Sequence, residues 1–326
     1  MWRSDHSTTD PLAPRPSDWQ GPSMEFSVVA AAYLETEPVT STTSAGPDLS
    51  PARRLRDALE PIATQGWWAR DVHEHPGSGG LGFLETYVWG RAAALGEPAA
   101  DVVTAAFGVF EPGLVAALLG AGREAAPRDD ILTAREEGAV AALRRVLGDE
   151  VEAPEVGELT ETLLSALDAQ DGLGRPLFSG LRGLPRPSDP AGRLWRAAEL
   201  FREHRGDGHL AACAVGGLGA VAVNVLTELW HGYPLGEYSS TRGFPEDVIA
   251  VEAASLRARG WLDDTGLTAQ GQRARAELEA ATDASQRDLV AALDDVDALV
   301  AVAEPLSARL VAARAAPVDA RKRAAG

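Results

Sequence analysis

The feature that most constrains the fold is a helical spacing of apolar residues that recurs along most of the chain. Leu55, Leu59 and Ile62 are separated by four and three positions, and residues 130–147 repeat the same spacing. This periodicity places apolar side chains on one face of an α-helix. Strand-like alternation is nearly absent, and the exception is residues 261–267, where a tight turn predicts a small hairpin. The sequence therefore predicts a mainly α fold.

Capping residues, proline and glycine divide this pattern into separate helices. Ser50-Pro51 and Asp189-Pro190 each combine a capping side chain with proline at the first helical position. Gly148 and Gly260 follow the last apolar residue of a periodic run and are expected to end helices. The main predicted helices begin at 51, 83, 99, 112, 130, 158, 190, 209, 221, 245, 268 and 287.

These boundaries predict five consecutive regions. Residues 1–49 are rich in Ser, Thr, Pro and Asp and lack periodicity, which is typical of a disordered arm. Residues 50–170 form a helical domain, and residues 171–189, with their many prolines and glycines, a crossover linker. A winged-helix domain is expected over 190–285, and a C-terminal helical region and tail over 286–326.

Charge and composition narrow the classes of partner. The 326 residues carry a net charge of −18, and a chain this acidic repels nucleic acid and anionic membranes unless a local basic face opposes the total. Cys213 is the single cysteine, which excludes an internal disulfide and a multi-cysteine zinc site. Without a long apolar run or a signal peptide pattern, we expect a cytoplasmic protein with no membrane partner. Lys322 is the single lysine, and this arginine bias suggests an actinobacterial source.

The densest cluster of chemically competent side chains lies in the stretch Arg202–His209. His204, Asp207 and His209 fall within six positions, and Gly206 and Gly208 are expected to break the chain between a long helix and a short one.

Three interpretations of this stretch stay open. In the structural one, Asp207 caps the helix that begins near Gly208, and Arg202 and Arg205 pair with acids on neighbouring helices. In the second, a turn at Gly206 aims both histidines into a ligand pocket without metal, with Asp207 orienting one of them. In the third, His204, Asp207 and His209 bind a metal or act in catalysis. Because their spacing is not a specific zinc signature, we expect no metal.

A second candidate binding element is the pair Tyr87 and Arg91, one helical turn apart in the first half of the chain. An arginine beside a tyrosine can hold an anionic ligand. The alternative is a surface ion pair of Arg91 with Glu85 or Glu97.

The second half of the chain resembles a known regulator. Residues 257–271, reading Arg-Ala-Arg-Gly-Trp-Leu-Asp-Asp-Thr-Gly-Leu-Thr-Ala-Gln-Gly, are similar to the wing of MarR-type regulators. The span 52–283 more specifically resembles an actinobacterial family of helix-turn-helix proteins. The resemblance rests on Leu59-Glu60-Pro61, Tyr87, Gly90-Arg91-Ala92-Ala93, Val102–Phe107, Arg202–His209 and Thr241-Arg242-Gly243. It implies a winged helix-turn-helix fold and no particular activity.

Two features disfavour DNA binding by that fold. The helix in the recognition position starts with Glu246 and Asp247, and residues 240–285 hold five arginines against eight acids, whereas DNA-reading modules are locally basic. The connection at 230–243 is 14 residues long, where a reading helix-turn-helix has about three or four.

The leading hypothesis is a small-molecule-binding protein on a winged-helix scaffold, with the ligand near the turn at 204–209. Tyr87, Arg91, His204, Arg205, Asp207 and His209 are its candidate binding residues. The alternatives are a ligand-responsive, MarR-like transcription regulator and an enzyme of secondary metabolism that uses the histidines. Walker and nucleophile-elbow motifs are absent, and we expect no cofactor. The expected partners are a small molecule, a second copy of the chain in a homodimer and, less favoured, DNA.

Overall fold

Residues 49–325 are described by the structure, a computed structural model. Their helices are α1 (Pro51–Trp68), α2 (Arg70–His73), α3 (Phe83–Ala92), α4 (Ala100–Phe107), α5 (Pro112–Ala125), α6 (Arg128–Leu147), α7 (Pro154–Asp168), α8 (Pro176–Arg182), α9 (Pro190–Val215), α10 (Ala220–Trp230), α11 (Glu237–Ser240), α12 (Glu246–Ala258), α13 (Ala269–Ala284), α14 (Arg287–Ala291), α15 (Val296–Ala312) and α16 (Ala320–Ala325). Two short strands, β1 (Leu262–Asp263) and β2 (Gly266–Leu267), lie between α12 and α13.

The mainly α class predicted from the sequence is confirmed. In the described part of the chain, β1 and β2 form one antiparallel hairpin in which Leu262 pairs with Leu267 and Asp263 with Gly266. The predicted disordered arm lies outside the described residues except for Leu49. No single helix among residues 49–325 combines the length and apolarity needed to cross a membrane.

The long helix α9 organises the fold, because α1, α6, α7, α8 and α13 all pack against it. As predicted, it begins at Pro190, where Asp189 Oδ1 accepts a hydrogen bond from Ala191 N at 2.8 Å. At 26 residues it is about 39 Å long. It ends before Gly217, whose positive φ of 65° reverses the chain.

The predicted break at Gly206 and Gly208 is wrong, because α9 runs through both glycines without interruption. A Cβ on Gly208 would lie 2.9 Å from both Arg175 Nη1 and Ser285 Cβ. Glycine at 208 is therefore required for close packing, and not for a turn. Asp207 is accordingly no cap of a helix starting at Gly208.

Two segments expected to be irregular contain short helices. The predicted crossover linker 171–189 includes α8, and the predicted 14-residue loop 230–243 includes α11. The long connection expected before the helix at 245 is therefore shorter, because only the five residues 241–245 separate α11 from α12.

The largest hydrophobic core joins both ends of the described chain. Apolar side chains of α1, α6, α7, α9 and α15 interdigitate in one cluster that includes Leu59, Leu143, Trp195 and Leu306. A second cluster fills the space between α3, α4 and α5, and a third joins α10, α12 and β1. Between these clusters α9 carries the polar residues 202–209, which positions them at an internal junction.

Candidate functional site

A cavity of about 120 Å³ lies beside the middle of α9, where helices of both halves of the chain meet. Of the predicted site residues, Tyr87, Arg91, Arg205 and His209 line it, whereas His204 and Asp207 do not. Its other lining residues in the described part of the chain are Arg56, Glu60, Ala106, Phe107, Val109, Phe110, Leu177, Arg202, Glu203, Gly206, Leu210, Val223, Asn224, Thr227, Tyr238, Arg242, Arg275, Glu279 and Ala324.

Arg91 is held at one wall of the cavity by a buried carboxylate. Its Nε and Nη2 donate to the two carboxylate oxygens of Glu203 at 3.0 and 2.8 Å, and its Nη1 donates to the Tyr87 hydroxyl at 2.7 Å. The guanidinium also lies 4.5 Å from the centre of the Phe107 ring. The expected alternative partners, Glu85 and Glu97, are not involved. Arg91 is thus rigidly oriented by charge and by aromatic contacts.

Several arginines converge on one carboxylate at the opposite wall. Glu279 of α13 forms ion pairs with Arg53, Arg205 and Arg275. Arg205 also contacts Asp283 at 3.1 Å. These arginines hold the pKa of Glu279 far below its usual range, against the effect of its burial. Two further carboxylates share these guanidinium groups, since Arg53 also pairs with Asp57 and Arg205 with Asp283.

The described lining residues carry a local positive charge inside an acidic protein. Six arginines (Arg56, Arg91, Arg202, Arg205, Arg242 and Arg275) face three glutamates (Glu60, Glu203 and Glu279), a formal excess of three positive charges. Arg205 and Arg275 are each at least nine-tenths buried, and the Nε atom of each has no hydrogen-bond partner in the described chain. A buried donor without a partner is costly, so a ligand that accepts these hydrogen bonds would be stabilised.

Aromatic rings complete the lining. Tyr87, Phe107, Phe110 and Tyr238 all border the cavity, and Arg242 lies 4.8 Å from the centre of the Phe110 ring. The cavity therefore combines positive charge with flat apolar surfaces, which suits a ligand that has an anionic group and an apolar body.

His204, Asp207 and His209, which the sequence grouped in one turn, each form a hydrogen bond with a different residue. His204 Nδ1 lies 2.8 Å from Gln286 Oε1, and His209 Nδ1 lies 2.9 Å from Thr282 Oγ1. Burial lowers the pKa of each histidine to about 4, so both are neutral at pH 7. Asp207 Oδ2 accepts a hydrogen bond from Phe178 N at 2.9 Å, and Asp207 therefore caps the N-terminus of α8.

Arg202 and Arg205 do pair with acids on neighbouring helices, namely Glu60 on α1 and Glu279 on α13. Within residues 49–325 no group of three His, Cys, Asp or Glu side chains is arranged to hold a metal ion. Cys213 is buried beside His209, with Sγ 3.6 Å from Nε2, and burial raises the pKa of its thiol to about 11.

Sequence reasoning missed Glu203, Arg275 and Glu279. A signal was present for Arg275, because it shares the buried face of α13 with Gly271, Leu278 and Thr282. An arginine on such a face indicates a buried charge that needs a partner, and Glu279 lies one turn later. Nothing in the sequence indicated that Glu203 would meet Arg91.

The sequence profile of a helix-turn-helix family matches residues 52–317, most of the chain. The protein belongs to this helix-turn-helix family. Comparison with curated proteins and with solved structures gave no match.

In this helix-turn-helix family protein, the outward surface of α12 is acidic and apolar. Glu246, Asp247, Val248 and Val251 are all exposed, whereas Ile249 packs inward in the third core cluster. Arg257 and Arg259 are exposed at the opposite end of the helix. The N-terminal end of α12 therefore presents carboxylates and not donors for phosphates or base edges.

Proposed function

We propose that this helix-turn-helix family protein binds a small organic anion in the arginine-lined cavity. The observation that carries the proposal is the excess of arginine over glutamate among the residues that line one cavity, in a chain of net charge −18. Buried donors without an acceptor, such as the Nε atoms of Arg205 and Arg275, are unfavourable, and an anionic ligand that accepts their hydrogen bonds relieves that penalty.

The arrangement of donors supports an anion with an apolar body. The unpartnered Nε–H groups of Arg205 and Arg275 can donate hydrogen bonds to a carboxylate or another oxyanion. The rings of Phe107, Phe110 and Tyr238 offer surface for an apolar or planar group. Arginine suits recognition of a planar anion, because its guanidinium is planar, always charged and matches the geometry of a carboxylate.

A ligand in this position contacts both halves of the chain. Tyr87 and Arg91 come from α3, Arg205 and His209 from α9, and Arg275 from α13, which follows the β1–β2 hairpin. Occupancy of the cavity would therefore change how α13 packs on α9, and with it the placement of the helix-turn-helix segment.

The second candidate function is a ligand-responsive DNA-binding regulator with a winged-helix arrangement. It is supported by family membership, by the five-residue connection between α11 and α12, and by the hairpin between α12 and α13. The carboxylates of Glu246 and Asp247 oppose it, because they lie where a recognition helix meets phosphates. An enzymatic role has the least support, since His204 is buried outside the cavity lining, and both His204 and His209 are uncharged at neutral pH.

The test compares two probes of similar shape and opposite charge. Benzoate is expected to raise the melting temperature of the protein in a concentration-dependent way, and benzylamine is not. Arg205→Gln and Arg275→Gln should weaken benzoate binding about tenfold or more, because each removes a charge-assisted hydrogen bond. Arg193→Gln is the control on the helix that carries Arg205, where this arginine is partly exposed and pairs with Glu161.

Circular dichroism shows whether the glutamine variants are folded before binding is compared. Equal stabilisation by benzylamine and benzoate would contradict the proposal. So would unchanged benzoate binding in folded Arg205→Gln and Arg275→Gln. Salt-dependent binding of duplex DNA that benzoate releases would favour the regulator.

A further inference from the structure

The middle of the outward face of α12 is apolar and has no partner in the described chain. Ile249, Ala253 and Leu256 are buried on one side of this helix, and Val251 and Ala254 lie on the opposite side. Val251 is 72% exposed and Val248 is 40% exposed. These are two of the few large apolar side chains exposed on the described residues, and they occupy one helix.

Charges of opposite sign stand at the two ends of this face. Glu246 and Asp247 are exposed in the first turn, and Arg257 and Arg259 are exposed at the C-terminal end. Among residues 49–325, no ion pair includes any of these four side chains. Arg259 lies over the Trp261 ring at 4.7 Å, which leaves its guanidinium near the surface.

We propose that α12 pairs antiparallel with α12 of a second copy of the chain. A twofold axis that passes between Val251 and Ala254 places Val251 of each copy against Ala254 of the other. The same axis places Asp247 opposite Ala258, so an acidic side chain lies beside a small one at each end of the contact.

The charges are complementary in this pairing. Glu246 and Arg257 are eleven residues apart, which is close to three helical turns, so they lie on the same side of α12. Under the twofold axis, Glu246 of one copy lies about 3 Å along the helix axis from Arg257 of the other. Each dimer thus contains two equivalent intermolecular ion pairs around the apolar centre. A parallel arrangement would instead bring like charges together at both ends.

This face fits a protein better than DNA. The carboxylates at one end repel phosphates, and the valines have no donor for base edges. A helix of 13 residues is about 20 Å long, so the contact is smaller than a standard interface of roughly 1,600 Å². The dimer is accordingly weak and depends on protein concentration. Its formation would cover the helix that a helix-turn-helix protein presents to DNA.

Sedimentation equilibrium over a range of protein concentrations tests the apolar centre of the pairing. The unchanged protein should show a concentration-dependent dimer, and Val251→Glu should be monomeric at every concentration. Val215→Glu is the matched control, because Val215 is 92% exposed and lies at the end of α9, away from α12. A dimer that survives Val251→Glu would overturn the proposal, as would an unchanged protein that is monomeric throughout.

Charge reversal tests the direction of the pairing. Glu246→Arg and Arg257→Glu should each weaken the dimer at least tenfold, because like charges then face each other across the twofold axis. The double variant restores opposite charges and should restore the dimer. It also places charges unfavourably for the helix dipole, so its dimerisation should recover while its melting temperature stays low.

The double variant separates the pairing from a simple effect on helix stability. If dimerisation follows melting temperature and does not recover in the double variant, the antiparallel pairing is wrong. If the protein stays monomeric and Val251→Glu instead abolishes binding of duplex DNA, the face belongs to DNA and the proposal fails.

Discussion

Arg91 and Glu203 form a two-pronged ion pair, with nitrogen–oxygen distances of 3.0 and 2.8 Å, although 112 residues separate them in the sequence. Both side chains are more than nine-tenths buried. The pair joins α3 to α9 and fixes the wall of the cavity on which Tyr87 also lies. It therefore links the stability of the fold to the shape of the candidate site.

Removing one partner of this pair should be strongly destabilising. Glu203→Gln leaves the Arg91 guanidinium buried without its counter-charge, and we expect a loss of about 3 to 5 kcal/mol in the free energy of unfolding. Urea denaturation measures this loss. Glu161→Gln is the control, because Glu161 pairs with Arg193 at the surface and should lose less than about 1 kcal/mol. Equal effects of the two substitutions would show that the buried pair has no special role.

Asp207 should make the protein less stable as pH rises towards neutrality. Burial, together with the nearby Glu203 carboxylate, raises the pKa of Asp207 from 3.8 to about 7, against the hydrogen bond from Phe178 N. Its stabilising contribution is therefore fully present below pH 3.8 and is lost as pH rises through 7. Asp207→Asn keeps an acceptor for Phe178 N and cannot ionise.

The measurement is the difference in unfolding free energy between Asp207→Asn and the unchanged protein at several pH values. We expect the difference to move in favour of the asparagine variant between pH 4 and pH 8, by an amount on the order of a few kcal/mol. A difference that is independent of pH would mean that Asp207 ionises normally in the folded protein.

Protonation of the buried His231 should destabilise the folded protein at acidic pH. It is buried at the end of α10, and neither ring nitrogen has a hydrogen-bond partner in the described chain. Burial lowers its pKa from 6.5 to about 4, so its contribution to stability is present above pH 6.5 and is lost as pH falls to 4.

His231→Phe removes both the unpartnered polar atoms and the titration. At pH 7 we expect an increase of about 1 to 3 kcal/mol in unfolding free energy. Thermal unfolding between pH 7 and pH 4 should also show a shallower loss of stability than in the unchanged protein. If the unfolding free energy rises at pH 7 but falls just as steeply towards pH 4, the stabilisation comes from packing. Ionisation of His231 would then not explain the loss of stability in acid.

Local patterns in the sequence identified much of the secondary structure. The helical spacing of Leu55, Leu59 and Ile62, with Ser50 as cap, correctly placed α1, since Ser50 Oγ accepts from Arg53 N at 3.1 Å. The turn at 263–266 correctly placed the hairpin. These features depend on residues within a few positions of each other, and such interactions are visible in a sequence.

Features that depend on distant residues were not visible. The partner of Arg91 comes from another helix, and the group capped by Asp207 is the start of α8, 29 residues earlier. Likewise, the sequence grouped His204, Asp207 and His209 by proximity along the chain. A continuous helix instead directs His204 and His209 to different residues of the α13 region. The cavity could be located only when these helices were placed together.

Gly206 and Gly208, whose meaning the sequence left ambiguous, should respond oppositely to alanine. A Cβ on Gly206 would meet nothing closer than Glu203 Oε2 at 3.9 Å, so Gly206→Ala should stabilise α9 by about 0.5 to 1 kcal/mol. A Cβ on Gly208 would instead press on Arg175 and Ser285, and Gly208→Ala should destabilise the protein by about 1 to 3 kcal/mol. Urea denaturation of both variants measures the direction of each change in unfolding free energy. Destabilisation by both would indicate a break in the helix at this stretch, whereas opposite signs follow only from a continuous α9 that packs closely at Gly208.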